Sequence, residues 1–188
     1  MRLSQRRVHL ERPSARRERE YLDAAHRSRE LHRGLVTAAT TPREYRELLR
    51  RARRENQESF FVVTAESKEL AGVVNVNDIV REPEQSGRLG YYAFVPHASV
   101  GLMREGLVHV INLAFLELGL HRLEANIQPG NRRSIALVAR LGFQREGQAR
   151  GYLKIGGRWR DHERWSLLAT DWRAKPSLRR AWARVAER

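Results

Sequence analysis

Apolar and polar residues follow two different spacings along this chain, and each spacing predicts a different element. Between Tyr45 and Ala52 the apolar positions recur at i, i+3, i+4 and i+7, which is the spacing of an amphipathic helix. Thr41 has the side chain of an N-cap, Pro42 suits the first helical position, and Glu44 completes a capping box. A helix is therefore predicted to begin at Thr41.

Elsewhere, alternating or β-branched apolar runs predict strands. The predicted strands cover residues 1–12, 59–65, 70–80, 88–95, 120–127, 145–155 and 158–169. Further helices are predicted over residues 14–32, 101–118 and 131–141, the first capped by Ser14 and the last ended by Gly142. Gly156 and Gly157 predict a hairpin turn between the last two strands. This order of elements favours a mixed α/β sandwich around one sheet.

The length of 188 residues fits one domain with a sizeable core. No apolar run approaches the ~18 residues of a membrane span, and the basic start lacks the apolar stretch of a signal peptide, so we expect a cytoplasmic protein without membrane contact. The chain has no cysteine, which excludes a cysteine nucleophile and thiolate metal ligands. The seven histidines lack metal-ligand spacings with carboxylates, so no metal site is predicted.

The formal net charge is +14, which favours a polyanionic partner such as RNA, the ribosome, an acidic protein or a phosphorylated cofactor. Nearly all of the cations are arginines, and a biased genome composition explains that excess equally well. Residues 173–188 read as a basic amphipathic helix or tail with an apolar stripe at Leu178, Ala181, Trp182 and Val185. That stripe either docks on the domain, which residues 1–172 form, or faces an anionic partner.

Two predicted helix starts have the properties of ligand sites. The first follows the strand that ends at Val95-Pro96, where the unpaired N–H groups of a helix beginning at Gly101 suit a pyrophosphate. At the second, Asn131 is a good N-cap, and Ser134 lies one turn into the helix, where its hydroxyl can hydrogen-bond a thiol or thiolate. Taken alone, each of these signals also fits an ordinary structural role.

The two helix starts belong to a longer pattern that resembles a known family. Residues 122–147 read RLEANIQPGNRRSIALVARLGFQREG, and residues 152–162 read YLKIGGRWRDH. Together they resemble the GNAT N-acetyltransferases, most closely the RimJ/RimL branch that acetylates N-terminal residues of ribosomal proteins, and within it RimJ. The resemblance is dense over residues 89–172. It implies acetyl-CoA as cofactor, direct acetyl transfer, and one α/β (α+β) domain with a mixed, mostly antiparallel twisted sheet of six to seven strands flanked by helices.

The resemblance also implies where the cofactor lies. It places acetyl-CoA between two splayed parallel strands, residues 89–95 and 123–127, with backbone groups of Phe94 and Val95 beside the pantetheine arm. The remaining cofactor-binding residues that it implies are Val100, Gly101, Leu102, Met103, Arg104, Asn131 and Ser134. Arg140, like Arg104, could supply positive charge to the phosphates. Ser134 would hydrogen-bond the sulfur and help the thiolate to leave. The phosphate loop departs from the family pattern, because it keeps only one of the usual small residues and has Ser99 where glycine is common.

The acceptor amine must lose a proton, which requires a base or a water chain that ends in one. The candidates are Glu105, Glu124, Asp161 and His162, while Asn126 is placed to orient a water. The resemblance puts Tyr152, Trp159, Asp161 and His162 next to a bound peptide. For Glu105 a charge at the helix start is an equally good explanation, and packing or ion pairing explains the aromatic residues and Asp161.

Three functions follow from this reading. The first is acetylation of the α-amine of a protein N-terminus, such as the alanine of a ribosomal protein. The second keeps the chemistry but transfers to a small amine or amino acid, which a closed pocket with several carboxylates would favour. The third is a catalytically weak relative that binds RNA or the ribosome through its basic surface. The sequence leaves the oligomeric state open.

Overall fold

A computed structural model describes residues 6–174, which form a seven-stranded sheet with helices on both faces. The strands are β1 (Val8–Glu11), β2 (Glu58–Thr64), β3 (Leu70–Val80), β4 (Ser86–Ala93), β5 (Arg122–Ile127), β6 (Gln144–Ile155) and β7 (Arg158–Leu168). Their order across the sheet is β1-β2-β3-β4-β5-β7-β6. Every neighbouring pair is antiparallel except β4 and β5, which are parallel. The predicted mixed, mostly antiparallel sheet is confirmed.

The helices are α1 (Glu18–Arg27), α2 (Arg29–His32), α3 (Pro42–Arg51), α4 (Leu102–Asn112), α5 (Arg132–Leu141) and α6 (Ala169–Arg173). A 3₁₀ turn at Ala15–Arg17 precedes α1, and a π-helical turn at Leu113–Glu117 extends α4. Within residues 6–174 no helix is both long and apolar enough to cross a bilayer.

Each face of the sheet has its own hydrophobic core. Helices α4 and α5 pack on one face, where Leu107, Ile111 and Leu141 are fully buried. On the other face α1 and α3 cover an aromatic cluster around Tyr21 and Phe94. The alternation of side chains along β4 sends successive residues to the two cores in turn. The sheet is therefore the wall that separates the two sides of the molecule.

Several local predictions are confirmed at the level of single hydrogen bonds. The Thr41 side chain accepts the backbone N–H of Glu44 at 3.3 Å, and the Glu44 carboxylate accepts the backbone N–H of Thr41 at 3.1 Å, which is the predicted capping box. Gly142 ends α5 with a φ of 94°, a left-handed conformation that glycine adopts without steric cost.

The predicted helix over residues 14–32 is not continuous, and Ser14 does not cap it through its side chain. The helix is interrupted at Ser28, which is fully buried and whose Oγ accepts the backbone N–H of Val95 at 3.0 Å. The apolar stripe predicted at Leu178, Ala181, Trp182 and Val185 lies outside the described residues. Trp172 lies inside the fold, where its indole donates to Asn112 of α4 at 2.8 Å.

Candidate active site

The parallel strands β4 and β5 separate part of the way along their length. They pair from Ser86 with Arg122 as far as Leu89 with Ala125, and no pair follows. Both strands then continue, β4 to Ala93 and β5 to Ile127. Strands that diverge in this way leave backbone N–H and C=O groups without a partner in the sheet. The predicted splay between these two strands is therefore present.

A cavity of about 700 Å³ lies beside the part of β4 that has separated from β5. The C-terminal half of β4 contributes Tyr91, Tyr92 and Ala93 to its wall. Helix α2 and the residues after it form a second wall, and the start of α4 together with α5 forms the third. The cavity is thus bounded by elements from both sides of the sheet, as a site for two substrates requires.

The start of α4 has the properties of an anion site. Gly101 is the N-cap residue in the left-handed conformation, with a φ of 89°, and no side chain caps the helix. The first N–H groups, those of Leu102, Met103 and Arg104, consequently have no intrahelical acceptor and lie at the positive end of the helix dipole. Gly101, Met103 and Arg104 line the cavity, so this helix end faces it.

The start of α5 is built differently. Asn131 accepts the backbone N–H of Ser134 at 3.2 Å, so the predicted N-cap is confirmed. Both residues also line the cavity. The Tyr91 hydroxyl donates to the Ser134 carbonyl at 3.4 Å, and burial raises the pKa of Tyr91 to about 12. Tyr91 therefore supports the helix start as a neutral phenol.

Positive charge dominates the wall of the cavity. The arginines on it are Arg33, Arg104, Arg132, Arg133 and Arg140, and the one lining carboxylate in the described chain is Glu30. Glu30 is already paired with Arg33 at 2.6 Å. Within residues 6–174 the other four arginines form no ion pair. Arg104 and Arg140 were predicted from the sequence. Arg132 and Arg133 were not, although their position in the first turn of a helix after Asn131 was a usable signal.

The predicted roles of Phe94 and Val95 need correction. The N–H of Phe94 donates to Ala71 at 2.8 Å, and the N–H of Val95 donates to Ser28. Neither residue lines the cavity, and the Phe94 side chain is fully buried. Because direction alternates along a strand, the N–H groups of Tyr91 and Ala93 point toward the separation instead. The N–H groups of Phe94 and Val95 are therefore engaged elsewhere and are not available for the predicted role.

The loop before α4 brings some of the predicted residues to the cavity and leaves others away from it. Ser99 lines the cavity in a left-handed conformation with a φ of 65°. Val100 is 54% exposed, and its carbonyl accepts a hydrogen bond from Arg7 at 3.1 Å. The Leu102 side chain is buried in the core, so this residue can contribute only its backbone N–H.

Glu105 does not lie at the cavity. Its carboxylate accepts the Arg7 Nε at 2.6 Å and the Arg7 backbone N–H at 3.3 Å. It is in the first turn of α4, where a negative charge is stabilised by the helix dipole. This placement argues against Glu105 as the base and gives it the structural role that the sequence also allowed.

The other predicted carboxylates are also engaged in structural contacts. Glu124 accepts hydrogen bonds from Arg122 at 3.0 Å and from Arg164 at 3.4 Å. The Asp161 carboxylate accepts the backbone N–H of Gly151 at 2.7 Å, which fixes the irregular part of the β6–β7 hairpin. Neither residue lines the cavity.

Asn126 lies on β5 directly after the last residue that pairs with β4. Its Nδ2 donates to the Tyr152 hydroxyl at 3.3 Å, so the two predicted residues do meet. Its Oδ1 is buried and accepts no hydrogen bond from the described residues. The Tyr152 hydroxyl hydrogen is free to donate elsewhere, because that oxygen is the acceptor in the bond from Asn126. The pair therefore presents one free acceptor and one free donor, and neither residue lines the cavity itself.

The remaining predicted acceptor residues follow on the β6–β7 hairpin. The His162 ring lies 5.7 Å from the Tyr152 ring, and its Nδ1 donates to the Arg160 carbonyl at 3.0 Å. Arg160 was not predicted, yet its Nε is buried without a partner in the described chain. Trp159 is 66% exposed and belongs to the opposite face of the hairpin, because successive residues of a strand alternate.

His32 is a further residue on the cavity wall that the sequence did not indicate. It is 6% exposed, and its Nε2 donates to the Ala93 carbonyl at 2.8 Å. Burial lowers the pKa of His32, and the hydrogen bond to Ala93 offsets part of that effect. An isolated histidine on a predicted helix has no local signature, since its contact with β4 joins residues 61 positions apart.

Comparison with known proteins agrees with this geometry. A family profile for the acetyltransferase (GNAT) domain matches residues 7–144. The probable N-acetyltransferase YjcK of Bacillus subtilis is 36% identical over 68% of this chain and 69% of its own. The ribosomal protein uS5-alanine N-acetyltransferase of Escherichia coli is 40% identical over 60% of this chain. That match spans 58% of the length of the E. coli protein.

Two solved structures have similar folds. The ribosomal-protein-S5-alanine acetyltransferase of Vibrio fischeri superposes with a TM-score of 0.78 at 25% identity, over 90% of this chain and 97% of its own. A spermidine N-acetyltransferase of Vibrio cholerae, solved with CoA and spermine, reaches a TM-score of 0.76 at 20% identity, over 89% and 99%. The second likeness concerns the fold alone.

Proposed function

We propose that this chain, which belongs to the GNAT acetyltransferase family, acetylates the α-amine at the N-terminus of a protein. The chain is an acetyltransferase, and acetyl-CoA is the cofactor that its family uses. The identity of the acceptor is the proposal. It is supported by the relative that acetylates ribosomal protein uS5 and by the charge and hydrogen-bonding groups of the cavity.

The residues of the cavity fit the cofactor. The uncapped start of α4 offers N–H groups to a pyrophosphate, and the four arginines that form no ion pair in the described chain line the same cavity and can bind further phosphate charge. We propose that Ser134, which lines the same cavity, hydrogen-bonds the sulfur. Acetyl-CoA supplies the acetyl group, and its sulfur leaves with the electron pair of the bond that breaks.

The observation that carries the acceptor assignment is the scarcity of negative charge. Glu30 is the one carboxylate on the cavity wall in the described chain, and it is paired with Arg33. Glu124, two residues before Asn126 on β5, is paired with Arg122 and Arg164. A polyamine carries several positive charges, so a site for it needs several carboxylates to compensate for lost hydration. A protein N-terminus has one amine and is otherwise bound through neutral peptide groups, so it needs no such set.

Two unpartnered buried atoms suit the rest of such an acceptor. The Oδ1 of Asn126 can accept an N–H of the amine, and the Nε of Arg160 can donate to a peptide carbonyl. Both residues belong to the same face of adjacent strands, since Arg164 is opposite Asn126 and Arg160 has the same parity along β7. A ligand with alternating N–H and C=O groups satisfies both atoms.

The test uses a peptide that begins with alanine and contains one internal lysine. The chain is incubated with acetyl-CoA and this peptide, free CoA is measured, and tandem mass spectrometry locates the acetyl group. We expect CoA release with the acetyl group on the α-amine.

The control is the same peptide with its α-amine already blocked, which leaves only the lysine amine. It should release CoA no faster than acetyl-CoA alone with the enzyme. Acetylation of the lysine, or equal turnover of the blocked peptide, would contradict the assignment of an N-terminal acceptor.

A further inference from the structure

The reaction needs a group that takes the proton of the acceptor amine, and the titratable groups on the cavity wall are few. The arginines do not lose a proton in proteins. Burial raises the pKa of Tyr91 to about 12 and raises that of Tyr92 still further above its ordinary value. Glu30 is exposed and paired with Arg33. Of the described residues lining the cavity, His32 is the remaining proton acceptor.

The environment of His32 fixes one tautomer. Its Nε2 must carry a hydrogen, because the partner of that atom is the carbonyl oxygen of Ala93 at 2.8 Å. The ring is held edge-on to Tyr92 and inclined to Phe94, with centroids 5.4 and 5.9 Å away. The Nδ1 atom makes no hydrogen bond with any described residue. In the neutral ring that atom carries the free lone pair.

His32 is also at the correct place in the fold. Ala93 is the last residue of β4, on the stretch that has separated from β5, and it lines the same cavity. Asn126, with its free Oδ1, lies on the opposite edge of that separation. An amine that enters between these two strands therefore meets an acceptor oxygen on β5 and an imidazole beside β4.

We infer that Nδ1 of His32 is the general base of the acetyl transfer. The acceptor nitrogen bonds to the acetyl carbon as the carbon–sulfur bond breaks, and that bond's electron pair stays with sulfur. The proton of the nitrogen goes to Nδ1 and then to water, which returns the ring to its neutral form. This inference rests on acetyl transfer to an amine within the proposed function, and it does not depend on which amine is the natural acceptor.

The charged groups around the ring leave it neutral at physiological pH. On its own segment the neighbours are Glu30 and Arg33, which neutralise each other. From β4 it meets Tyr92, whose hydroxyl is hydrogen-bonded to Tyr21 of α1 at 2.6 Å. Burial is the largest influence, and it lowers the pKa of His32. The imidazole thus stays able to accept a proton down to a lower pH than an exposed histidine.

The test compares His32→Gln with His26→Gln. Glutamine at position 32 can keep a donor for the Ala93 carbonyl while it removes the basic nitrogen. His26 is the matched control, because its Nε2 also meets a backbone carbonyl, that of Thr40 at 3.0 Å, but it is exposed and outside the cavity. We expect His32→Gln to lower kcat/KM for the acceptor by about a hundredfold or more with an unchanged Kd for acetyl-CoA. The His26→Gln variant should keep the wild-type value.

A pH profile and chemical rescue separate a base from a merely structural residue. In the wild type, a plot of log kcat/KM against pH should have a slope of about 2 below the pKa of His32, where both the amine and the imidazole must lose a proton. Above the pKa of His32 the slope should be about 1. In His32→Gln the slope should be about 1 throughout, and added imidazole should restore part of the rate.

Three results would overturn the inference. They are a His32→Gln activity within about twofold of the wild type, a slope of about 2 that persists in that variant, or a wild-type slope of about 1 at every pH below 6.5. The slope of the wild-type pH profile tests whether His32 is the base even if the variant fails to fold. Every assay is run with both an alanine-starting peptide and spermidine. Transfer to spermidine alone would refute the proposed acceptor while the role of His32 was still tested.

Discussion

The proposed cofactor end and the proposed acceptor end of the site are built from different parts of the chain. At the cofactor end, the loop and first turn of α4 and the first turn of α5 supply backbone N–H groups and exposed arginines. At the proposed acceptor end, His32 of α2 lines the cavity, whereas the side chains on β5 and the β6–β7 hairpin belong to the neighbouring strands and do not line it. Each of these side chains is buried or partly buried. The first set of groups is suited to binding charge, and the second to positioning individual atoms.

This difference has an energetic consequence. Exposed arginines and a helix N-terminus attract phosphate over several ångströms and tolerate small displacements, so each contributes modestly and is screened by salt. A buried acceptor such as the Asn126 Oδ1 is satisfied only by a donor at one position, and leaving it unpaired is costly. Substitutions at the acceptor end should therefore change turnover, and those at the cofactor end should change acetyl-CoA affinity.

After the loss of activity expected for His32→Gln, the largest loss of kcat/KM is expected when Asn126 is replaced. Asn126→Ala removes the free Oδ1 and the donor to Tyr152, and kcat/KM for an alanine-starting peptide should fall about tenfold or more. The Kd for acetyl-CoA, measured by calorimetry, should stay within about twofold of the wild type.

Asn77→Ala is the matched control for that substitution. Asn77 is also a partly buried sheet asparagine, with its Nδ2 directed at the Arg88 carbonyl, but it lies on β3 and not on the stretch of β5 that has separated from β4. It should retain wild-type kcat/KM. Equal losses in the two variants would mean that the sheet is perturbed generally and that the acceptor end has no special role for Asn126.

An intermediate effect is expected at Arg133. Arg133→Gln should weaken acetyl-CoA binding about fivefold at low salt, with no change in the acceptor KM, and the difference should shrink as salt is added. Arg46→Gln removes an equally exposed arginine from α3, away from the cavity, and it controls for the change in net charge. A loss that is independent of salt would show that Arg133 acts through packing.

The smallest effect is expected in the phosphate loop. Ser99 has a φ of 65°, which is a left-handed conformation. This conformation is about 1 kcal/mol less favourable for a residue with a side chain than for glycine. Ser99→Gly should raise the free energy of unfolding by up to that amount and should bind acetyl-CoA at least as tightly. Ala98 lies in the same loop but has no positive φ. Ala98→Gly should therefore lower the free energy of unfolding, because it only adds conformational freedom to the unfolded chain. Urea unfolding of the two variants checks both signs.

The two ends also differ in how far the sequence predicted them. The helix starts at Thr41 and Asn131 and the stop at Gly142 depend on residues within one turn of each other, so local rules identified them. The separation of β4 from β5 followed from a resemblance that covers those strands.

The failures lie where distant segments meet. Ser28, where the predicted helix is interrupted, binds the backbone of Val95, 67 residues away, and Glu105 is paired with Arg7, 98 residues away. The contact of His32 with Ala93 and the burial of Arg160 likewise depend on tertiary packing. A side chain whose partner is set by the fold leaves no periodic or capping signal, so the acceptor end was mostly hidden from sequence reasoning.

The most direct test of the account is a competition for limiting acetyl-CoA. The alanine-starting peptide and spermidine are mixed at equal concentration with the chain, and mass spectrometry measures the ratio of their acetylated products. A cavity with one neutralised carboxylate predicts that the acetylated peptide dominates, with the acetyl group on its α-amine. Predominant acetylation of spermidine would contradict the assignment of a protein N-terminus as the acceptor.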